Sequence, residues 1–222
     1  MSDLPASRVA ALERIYHTYL ADQDSAEFIR RVALRYLPGT LERLVQAAPR
    51  LTRRAAVLAL GYLGDYRSND ILGSALRDED RGVRMLAENA LRNVWCRDGS
   101  EAQQESLERI IRLNQSRTFD DALAAATHLI AEAPELAEAW NQRAIAHYGL
   151  GRYADSIRDC RRAAELNPVH FGALAGMGQC FLYQGNMLQA LEHFRRALQL
   201  NPNLEAIRAN VAMLERRLKK QG

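Results

Sequence analysis

A repeat with a period of 34 residues in the C-terminal half constrains the fold of this chain more than any other feature. Residues of similar type recur one period apart at four pairs of positions: Gly151 and Gly185, Ile157 and Leu191, Ala163 and Ala197, and Pro168 and Pro202. A fixed period of this size is typical of repeat proteins, in which each unit buries its apolar face against its neighbours. The sequence therefore predicts a stack of repeated units instead of one central core.

Each repeated unit is predicted to be a pair of helices. Ile157, Cys160 and Ala163 are spaced three residues apart, which places them on one face of a helix. Pro168 follows and ends that helix, because proline cannot donate to the hydrogen-bond ladder. Gly151 precedes the helix at a turn, where a residue free to adopt positive φ is needed.

Residues 137–204 carry two copies of one pattern of small, aromatic and turn residues. The matching positions are Trp140, Ala144, Tyr148, Gly151, Tyr153, Ile157, Ala163, Leu166 and Pro168, and then Gly178, Phe181, Gly185, Ala190, Phe194, Ala197 and Pro202. This pattern resembles the tetratricopeptide repeat (TPR) family, in which Ala144 and Gly178 would lie where the two helices of a pair approach closely. The chain departs from the family pattern at Arg143, Ser156 and Cys160. We also expect a degenerate repeat at about 102–136 and a capping helix at about 204–219.

The N-terminal half has a shorter period of 31 residues. Arg53 recurs as Arg84 and Ala59 as Ala90, and the acidic run 78–80 lies between the two copies. This pattern, clear over about 50–97, resembles HEAT repeats of the bacterial lyase-associated type, in which acidic turns join helix pairs. Acidic residues suit the start of a helix, because its N-terminus carries partial positive charge.

The start of the chain fits that repeat pattern less closely. We expect an N-terminal helix at 7–21 and an irregular helix pair at 25–48. Ser25 and Thr40 are the predicted N-caps of that pair, since their hydroxyls can accept hydrogen bonds from the first free backbone N–H groups.

Together these patterns predict an all-α fold with about thirteen helices. The predicted architecture is a right-handed helical-repeat solenoid, an α-α superhelix in which HEAT-like pairs are followed by TPR pairs and a capping helix. We place a HEAT-like domain at 1–98 and a TPR-like domain at 99–222, with the boundary at Arg97–Ser100. The short break between them predicts that the two halves stack continuously.

Composition narrows the classes of protein that the chain can belong to. Its formal charge of +3 is too close to neutral to indicate a nucleic-acid partner by itself. Cys96, Cys160 and Cys180 are few, odd in number and widely spaced, which indicates a reducing compartment. Cys160 and Cys180 are expected to be buried and Cys96 exposed. With no secretory-signal pattern and no apolar run of about 20 residues, we expect a cytoplasmic protein that does not associate with membranes.

The sequence offers no pattern that predicts catalysis. It lacks the phosphate-binding loop, the nucleophile elbow and the H-E-x-x-H zinc helix. The lone G-x-G at 176–178 falls inside a repeat helix, where close packing explains it. The five histidines are His17, His128, His147, His170 and His193. Because none has a ligand partner at metal-binding spacing, we expect surface or partly buried side chains. We therefore predict a non-enzyme with no cofactor and no metal.

The resemblance to TPR arrays implies a concave groove lined by the first helix of each pair. The groove-facing candidates are Asn141, Ile145, Tyr148, Ala175, Gln179, Leu182, Asn210 and Met213. Relatives that grip the terminal carboxylate of a chaperone tail use Lys, Arg and Asn, whereas the matching positions here are Asn141, Ile145, Gly176, Ala206 and Asn210. We therefore expect an amphipathic segment as ligand. The alternative is that so few repeats make a packing surface, with Tyr148 contacting the next unit.

Arginines of the N-terminal half form a second candidate surface. They are Arg30, Arg31, Arg35, Arg50, Arg53, Arg54, Arg81 and Arg84. Regular stacking would align them, with Arg30, Arg31, Arg53, Arg54 and Arg84 as the centre of a basic ridge that binds phosphates or an acidic protein. The alternative, favoured by the near-neutral charge, is pairing with the acidic residues of the turns: Asp65, Asp70, Asp78, Glu79 and Asp80.

The leading functional hypothesis is a protein–protein interaction scaffold, an adaptor that binds a protein or peptide segment in the concave TPR groove. One alternative is a non-catalytic subunit of a lyase or chaperone-type complex, which the HEAT resemblance implies. The other is nucleic-acid binding through the arginine ridge, against which the near-neutral charge argues.

Overall fold

The computed structural model describes residues 6–220, which form thirteen α-helices and a short 3-10 turn, with no strand in this range. The prediction of an all-α helical-repeat fold is confirmed. The chain divides into two compact units, Met1–Arg97 and Asp98–Gly222.

The N-terminal unit contains six helices. They are α1 (Ala6–Asp22), α2 (Ser25–Ala33), α3 (Pro38–Ala47), α4 (Arg50–Leu63), α5 (Asn69–Ala75) and α6 (Arg81–Cys96), and the 3-10 turn at Tyr66–Ser68 precedes α5. Helix α4 packs against α1, α3 and α6 and forms the centre of the unit. A Cβ added at Gly61 of α4 would lie 3.0 Å from the Cβ of Ala90 in α6, so a small residue is required where these helices cross.

Both predicted N-caps of the irregular pair are wrong. Asp24 caps α2, because its side chain accepts a hydrogen bond from the backbone N–H of Glu27. Helix α3 begins at Pro38 without a side-chain cap, since proline is pre-organised for the first helical position and has no N–H to satisfy. Ser25 instead lies inside the first turn of α2, and Thr40 is buried.

The C-terminal unit contains three helix pairs and a final single helix. They are α7 (Glu101–Gln115) with α8 (Phe119–Glu132), α9 (Ala137–Gly149) with α10 (Tyr153–Leu166), α11 (Phe171–Tyr183) with α12 (Met187–Leu200), and α13 (Glu205–Lys219). The first helices of successive pairs are neighbours, since α9 contacts both α7 and α11. This row of first helices positions the site described below.

The small residues of the repeat lie where the sequence predicts them. Gly151 and Gly185 have φ values of 73° and 77° in the turns between paired helices. A Cβ added at Gly178 would lie 2.5 Å from the ring of Phe194, so this crossing of α11 and α12 requires glycine.

The cysteines are placed almost as the sequence predicts. Cys160 and Cys180 are buried among the helices of the repeats, and burial raises the pKa of both thiols. Cys96, which was expected to be exposed, is partly buried at the end of α6. None of the three cysteines forms a disulfide bond.

Candidate functional site

A depression in the C-terminal unit lies at the ends of three successive first helices, α7, α9 and α11. Its volume is about 470 Å³, and its lining residues are Asn114, Arg117, Phe119, Ile145, Tyr148, Gly149, Tyr153 and Tyr183. Five of these eight residues carry aromatic or aliphatic side chains. We refer to it below as the tyrosine depression.

Three tyrosines form one wall of this depression. The ring centroids of Tyr148 and Tyr183 are 5.5 Å apart in an edge-to-face arrangement, and those of Tyr153 and Tyr183 are 5.2 Å apart and stacked. The centroids of Tyr148 and Tyr153 are 5.8 Å apart. Because the rings contact one another, they present a continuous surface instead of an open cage. Tyr183 remains 58% exposed and is the part of the wall most available to a ligand.

The repeat explains why these rings meet. Tyr148 and Tyr183 lie at the C-terminal ends of α9 and α11, and Tyr153 begins α10 directly after the turn at Gly151. Burial and the neighbouring Tyr183 phenol raise the pKa of Tyr148, which outweighs the opposing effect of a hydrogen bond with Gln179. The Tyr148 hydroxyl is therefore neutral at physiological pH.

Asn114 of α7 lines the depression and connects α7 to α9. Its Nδ2 donates to the backbone carbonyl and to the Oε1 of Gln142, at 2.9 Å in both cases. Its Oδ1 is buried and has no hydrogen-bond partner in residues 6–220, which costs free energy of folding.

A buried polar network continues from Gln142 into the unit. Gln142 Nε2 and Asn141 Nδ2 donate to Glu138 Oε1, at 2.6 and 2.9 Å. His170 Nδ1 accepts from the backbone N–H of Ala173, so the ring proton lies on Nε2, which donates to Glu138 Oε2 at 2.9 Å. The network thus joins α7, α9 and the start of α11, and it holds the first helices in register.

Glu138 is ionised at the centre of this network. Burial by itself would raise its pKa, but the hydrogen bonds from His170, Gln142 and Asn141 together lower it below its ordinary value. The negative charge is therefore stabilised by three side-chain donors.

The prediction that the histidines are surface or partly buried residues is wrong for His170 and His193, which are buried. His170 is the N-cap residue of α11, whereas Leu136 has that position in α9, one period earlier. A histidine in place of leucine at a repeat position is the signal by which the sequence could have revealed the network.

The structure brings together some of the groove candidates. Ile145 and Tyr148 line the tyrosine depression, and Gln179 contacts Tyr148. The amide of Asn141 is partly buried and bonded to Glu138.

The remaining groove candidates lie elsewhere in the C-terminal unit. Ala175 packs against the buried core of the second and third pairs. Leu182 and Met213 pack with the apolar cluster of α12 and α13, because the final helix needs an apolar face to dock. Asn210 lies partly exposed on α13.

Sequence reasoning missed six residues of the depression. These are Asn114, Arg117, Phe119, Gly149, Tyr153 and Tyr183. Tyr153 was assigned to the repeat scaffold, and Tyr183 is the direct neighbour of the candidate Leu182. The signal in the sequence is the recurrence of tyrosine around each turn glycine.

The acidic turn between α5 and α6 binds three arginines of the proposed ridge. Arg53 forms a bidentate pair with Asp78, at 2.8 and 2.9 Å, and also contacts Glu79 at 3.0 Å. Arg54 forms a bidentate pair with Asp80, at 2.6 and 2.7 Å, which lowers the pKa of that carboxyl far below its ordinary value. Arg84 donates to the backbone carbonyls of Asp78 and Glu79.

The other two ridge arginines share one carboxylate. Arg30 and Arg31 both donate to Glu27 within α2. All five ridge arginines therefore have acidic or carbonyl partners, which is the arrangement expected from the pairing alternative.

Two further features bear on the class of site. The residues from 6 to 220 contain no group of three or more His, Cys, Asp or Glu side chains arranged to hold a metal ion. Over the same range, no helix is both long enough and apolar enough to cross a bilayer.

Two repeat families match the chain. The family model for tetratricopeptide repeats matches residues 110–168 and 141–205, and that for HEAT repeats matches residues 37–131. The HEAT match extends beyond the predicted range of 50–97 and includes α7 and most of α8. These two helices form the pair that was predicted as a degenerate repeat, and both family models match part of it.

Two proteins are similar to this chain over part of its length. A TPR repeat-containing protein of Rhizobium etli is 27% identical over 152 residues, which is 68% of this chain and 74% of that protein. The protein SGT1 homolog of Bos taurus is 36% identical over 80 residues, and the match spans only 24% of its length.

A solved structure matches the fold of about half of this chain. The first TPR domain of Spaghetti (RPAP3), bound to the HSP90 peptide SRMEEVD, superposes with a TM-score of 0.52. It is 21% identical, and the match covers 55% of this chain and 96% of that domain. The likeness establishes the tetratricopeptide architecture.

Proposed function

We propose that this chain, which carries HEAT repeats in its N-terminal half and tetratricopeptide repeats in its C-terminal half, is a non-catalytic adaptor. Its ligand would be a segment of a partner protein, bound on the concave surface of the C-terminal unit. The observation that carries the proposal is the tyrosine depression, a partly exposed surface of mixed apolar and polar character at the ends of three first helices. We also propose a cytoplasmic location, on the cysteine pattern.

The chemistry of the depression suits a short peptide segment. Tyr183 and Tyr148 offer a large, rigid apolar surface together with hydroxyl groups, the combination that most often dominates binding energy in protein interfaces. Arg117, at the end of α7, adds one positive charge at the edge.

Similar domains support a peptide ligand, although of another kind. The RPAP3 domain of similar fold is bound to an HSP90 peptide. Relatives that grip a terminal carboxylate use Lys, Arg and Asn. At the matching positions, the present chain has Asn141, Ile145, Gly176, Ala206 and Asn210. We therefore propose a segment that presents an aromatic or aliphatic side chain to Tyr148 and Tyr183, instead of one held by a terminal carboxylate.

Peptide display tests this proposal directly. Linear peptides selected on the purified chain from a random library would be synthesised, and their Kd measured by fluorescence anisotropy against the parent and Tyr183→Ser. We expect the variant to bind at least about tenfold more weakly, because it removes exposed aromatic surface at the centre of the site.

A matched control distinguishes binding at the tyrosine depression from non-specific hydrophobic binding. Leu188 is another large, exposed apolar residue of the same unit, 67% exposed on α12 and outside the depression. Leu188→Ser should leave the Kd unchanged within a factor of about two. Equal binding of the peptides by the parent and Tyr183→Ser would refute the tyrosine depression as the binding surface. The selection of no peptide at all would refute it as well.

A further inference from the structure

A second cavity lies in the N-terminal unit between α1 and the end of α2. Its volume is about 460 Å³, and its lining residues are Ala11, Arg14, Ile15, Thr18, Arg30, Arg31, Leu34 and Arg35. Half of these residues are arginines, and three of the others are apolar. A cavity of this size is in the range of sites that bind small ligands or a few side chains of a peptide.

The charges at this cavity are not balanced by the part of the unit that the structure describes. Glu27 accepts hydrogen bonds from both Arg30 and Arg31, so one carboxylate serves two guanidinium groups. The two arginines lower the pKa of Glu27 to about 2, so its single negative charge is present throughout the physiological range.

The other two arginines have no carboxylate partner. Arg14 and Arg35 make no ion pair with any residue that the structure describes, and Arg35 donates only to the carbonyl of Arg31. This distinguishes them from Arg53 and Arg54, whose charges are matched by the acidic turn. The cavity therefore carries an excess of positive charge.

Apolar surface adjoins these charges. Leu34 is 69% exposed and lines the cavity together with Ala11 and Ile15. Leu37, three residues further along the chain, is 76% exposed. Large aliphatic side chains this exposed, next to unpaired arginines, are typical of an interaction surface.

The concave shape of the cavity favours one class of anionic partner over the others. The arginines line one concave site, whereas duplex DNA requires phosphate contacts spread along its backbone. A bilayer surface is flat and would contact raised residues before the walls of a cavity. A peptide can place one aliphatic side chain against Ile15 and Leu34 and carboxylates against the arginines, which satisfies both features of the site.

We infer that the cavity between α1 and α2 is a docking site for an acidic segment of a partner protein, with one aliphatic residue between carboxylates. Arg14 and Arg35 supply the unpaired charges, and Leu34 supplies apolar contact. This site lies in the N-terminal unit and is independent of the tyrosine depression, so either proposal can fail without the other.

The test uses a seven-residue peptide with one leucine flanked on both sides by Glu and Asp, and a counterpart in which every acid is replaced by its amide. Binding to the full chain is measured by fluorescence anisotropy at about 50 mM salt, where charge attraction is weakly screened. We expect the acidic peptide to bind at least about tenfold more tightly than the amide peptide.

Two variants with the same loss of charge locate the binding. Arg14→Gln/Arg35→Gln should weaken binding of the acidic peptide at least about tenfold. The control Arg67→Gln/Arg77→Gln removes two exposed arginines elsewhere in the unit and should retain the parent affinity within a factor of about two. All four positions are exposed, and unchanged thermal midpoints by circular dichroism would verify that both variants are folded.

Three results would overturn the inference. One is the absence of acidic-peptide binding to the parent chain. Another is an equal loss of affinity in both variants, which would indicate non-specific charge attraction. The third is tighter binding of a short DNA duplex or of phosphatidylserine vesicles than of the peptide, with that binding lost in Arg14→Gln/Arg35→Gln. This result would assign the cavity to a nucleic acid or a membrane.

Discussion

The two units use different chemistry to connect their helices. In the N-terminal unit, Arg53 and Arg54 of α4 form bidentate, partly buried ion pairs with the acidic turn before α6. In the C-terminal unit, the connection between first helices runs through the buried side chains of Glu138, Gln142 and His170. One unit thus relies on charges at its edge, and the other on polar groups inside it.

This difference indicates where each unit is vulnerable. Partly buried ion pairs remain partly screened by water and ions, so we expect them to weaken as salt increases. A buried polar group is held by its partners, and losing one partner leaves the others without hydrogen bonds in a medium where this is costly. We therefore expect single substitutions to be most damaging in the network of the C-terminal unit.

The largest expected effect breaks the buried network. Glu138→Ala leaves the donors of Asn141, Gln142 and His170 without their acceptor, and we expect a loss of about 3–5 kcal/mol in the free energy of unfolding. Urea denaturation followed by circular dichroism measures it. Glu135→Ala, an exposed acid three residues away, should cost less than about 0.5 kcal/mol. Equal effects of the two substitutions would show that the network contributes no special stability.

The second prediction tests close packing at the crossing of α11 and α12. Gly178→Leu places side-chain atoms where the ring of Phe194 already lies, and we expect a destabilisation of about 3 kcal/mol. The control Gly172→Ala lies on the same helix, where an added Cβ meets only ordinary contacts at 3.4 Å, so its stability should be equal or slightly higher. An unchanged thermal midpoint for Gly178→Leu would contradict the crossing described above.

The third prediction measures an ion pair of the N-terminal unit. In a double-mutant cycle with Arg54→Met and Asp80→Asn, we expect a coupling energy of about 1 kcal/mol that decreases as salt increases. The loss caused by Glu138→Ala should be insensitive to salt, because its partners are buried. A coupling energy that is independent of salt would remove the contrast between the two units.

The last prediction concerns stability in acid and applies to both units. Its expected effect at neutral pH is the smallest of the four. Asp80 and Glu138 have folded pKa values below their ordinary values of 3.8 and 4.5. A carboxyl group whose pKa is lowered by folding stabilises the fold fully when the pH is above the ordinary pKa of that group. This contribution is lost as the pH falls through the pKa of the folded state. We expect protonation of these two groups to leave the urea midpoint unchanged between pH 7 and about pH 5. At pH values below about 4.5, their protonation should lower the midpoint. In Asp80→Asn and Glu138→Gln, the fall should be smaller than in the parent chain.

The helical repeat could be predicted because its determinants are local or periodic. Gly151 and Gly185 mark turns that need positive φ, and Pro168 and Pro202 follow helix ends, so the chain itself specifies where each helix stops. The close approach at Gly178 follows from the same period.

The candidate site could be predicted only in part, since it depends on which side chains meet across helices. Ile145 and Tyr148 were identified from their repeat positions. The contact of Tyr183 with Tyr153, however, joins the end of α11, the first helix of the third pair, to the start of α10, the second helix of the preceding pair. Leu182 faces the terminal cluster instead, because one step along a helix rotates a side chain by about 100°.

The sequence by itself determined the helices, their period, the turn glycines and the acidic turn, because these depend on backbone preferences and on spacing along the chain. Only the tertiary structure decided that His170 contacts Glu138. It also decided that, among the residues described, the Oδ1 of Asn114 has no hydrogen-bond partner and Arg54 forms an ion pair while Arg14 does not. These outcomes depend on distances between side chains far apart in sequence, and on whether a partner charge or donor reaches each group when the helices pack.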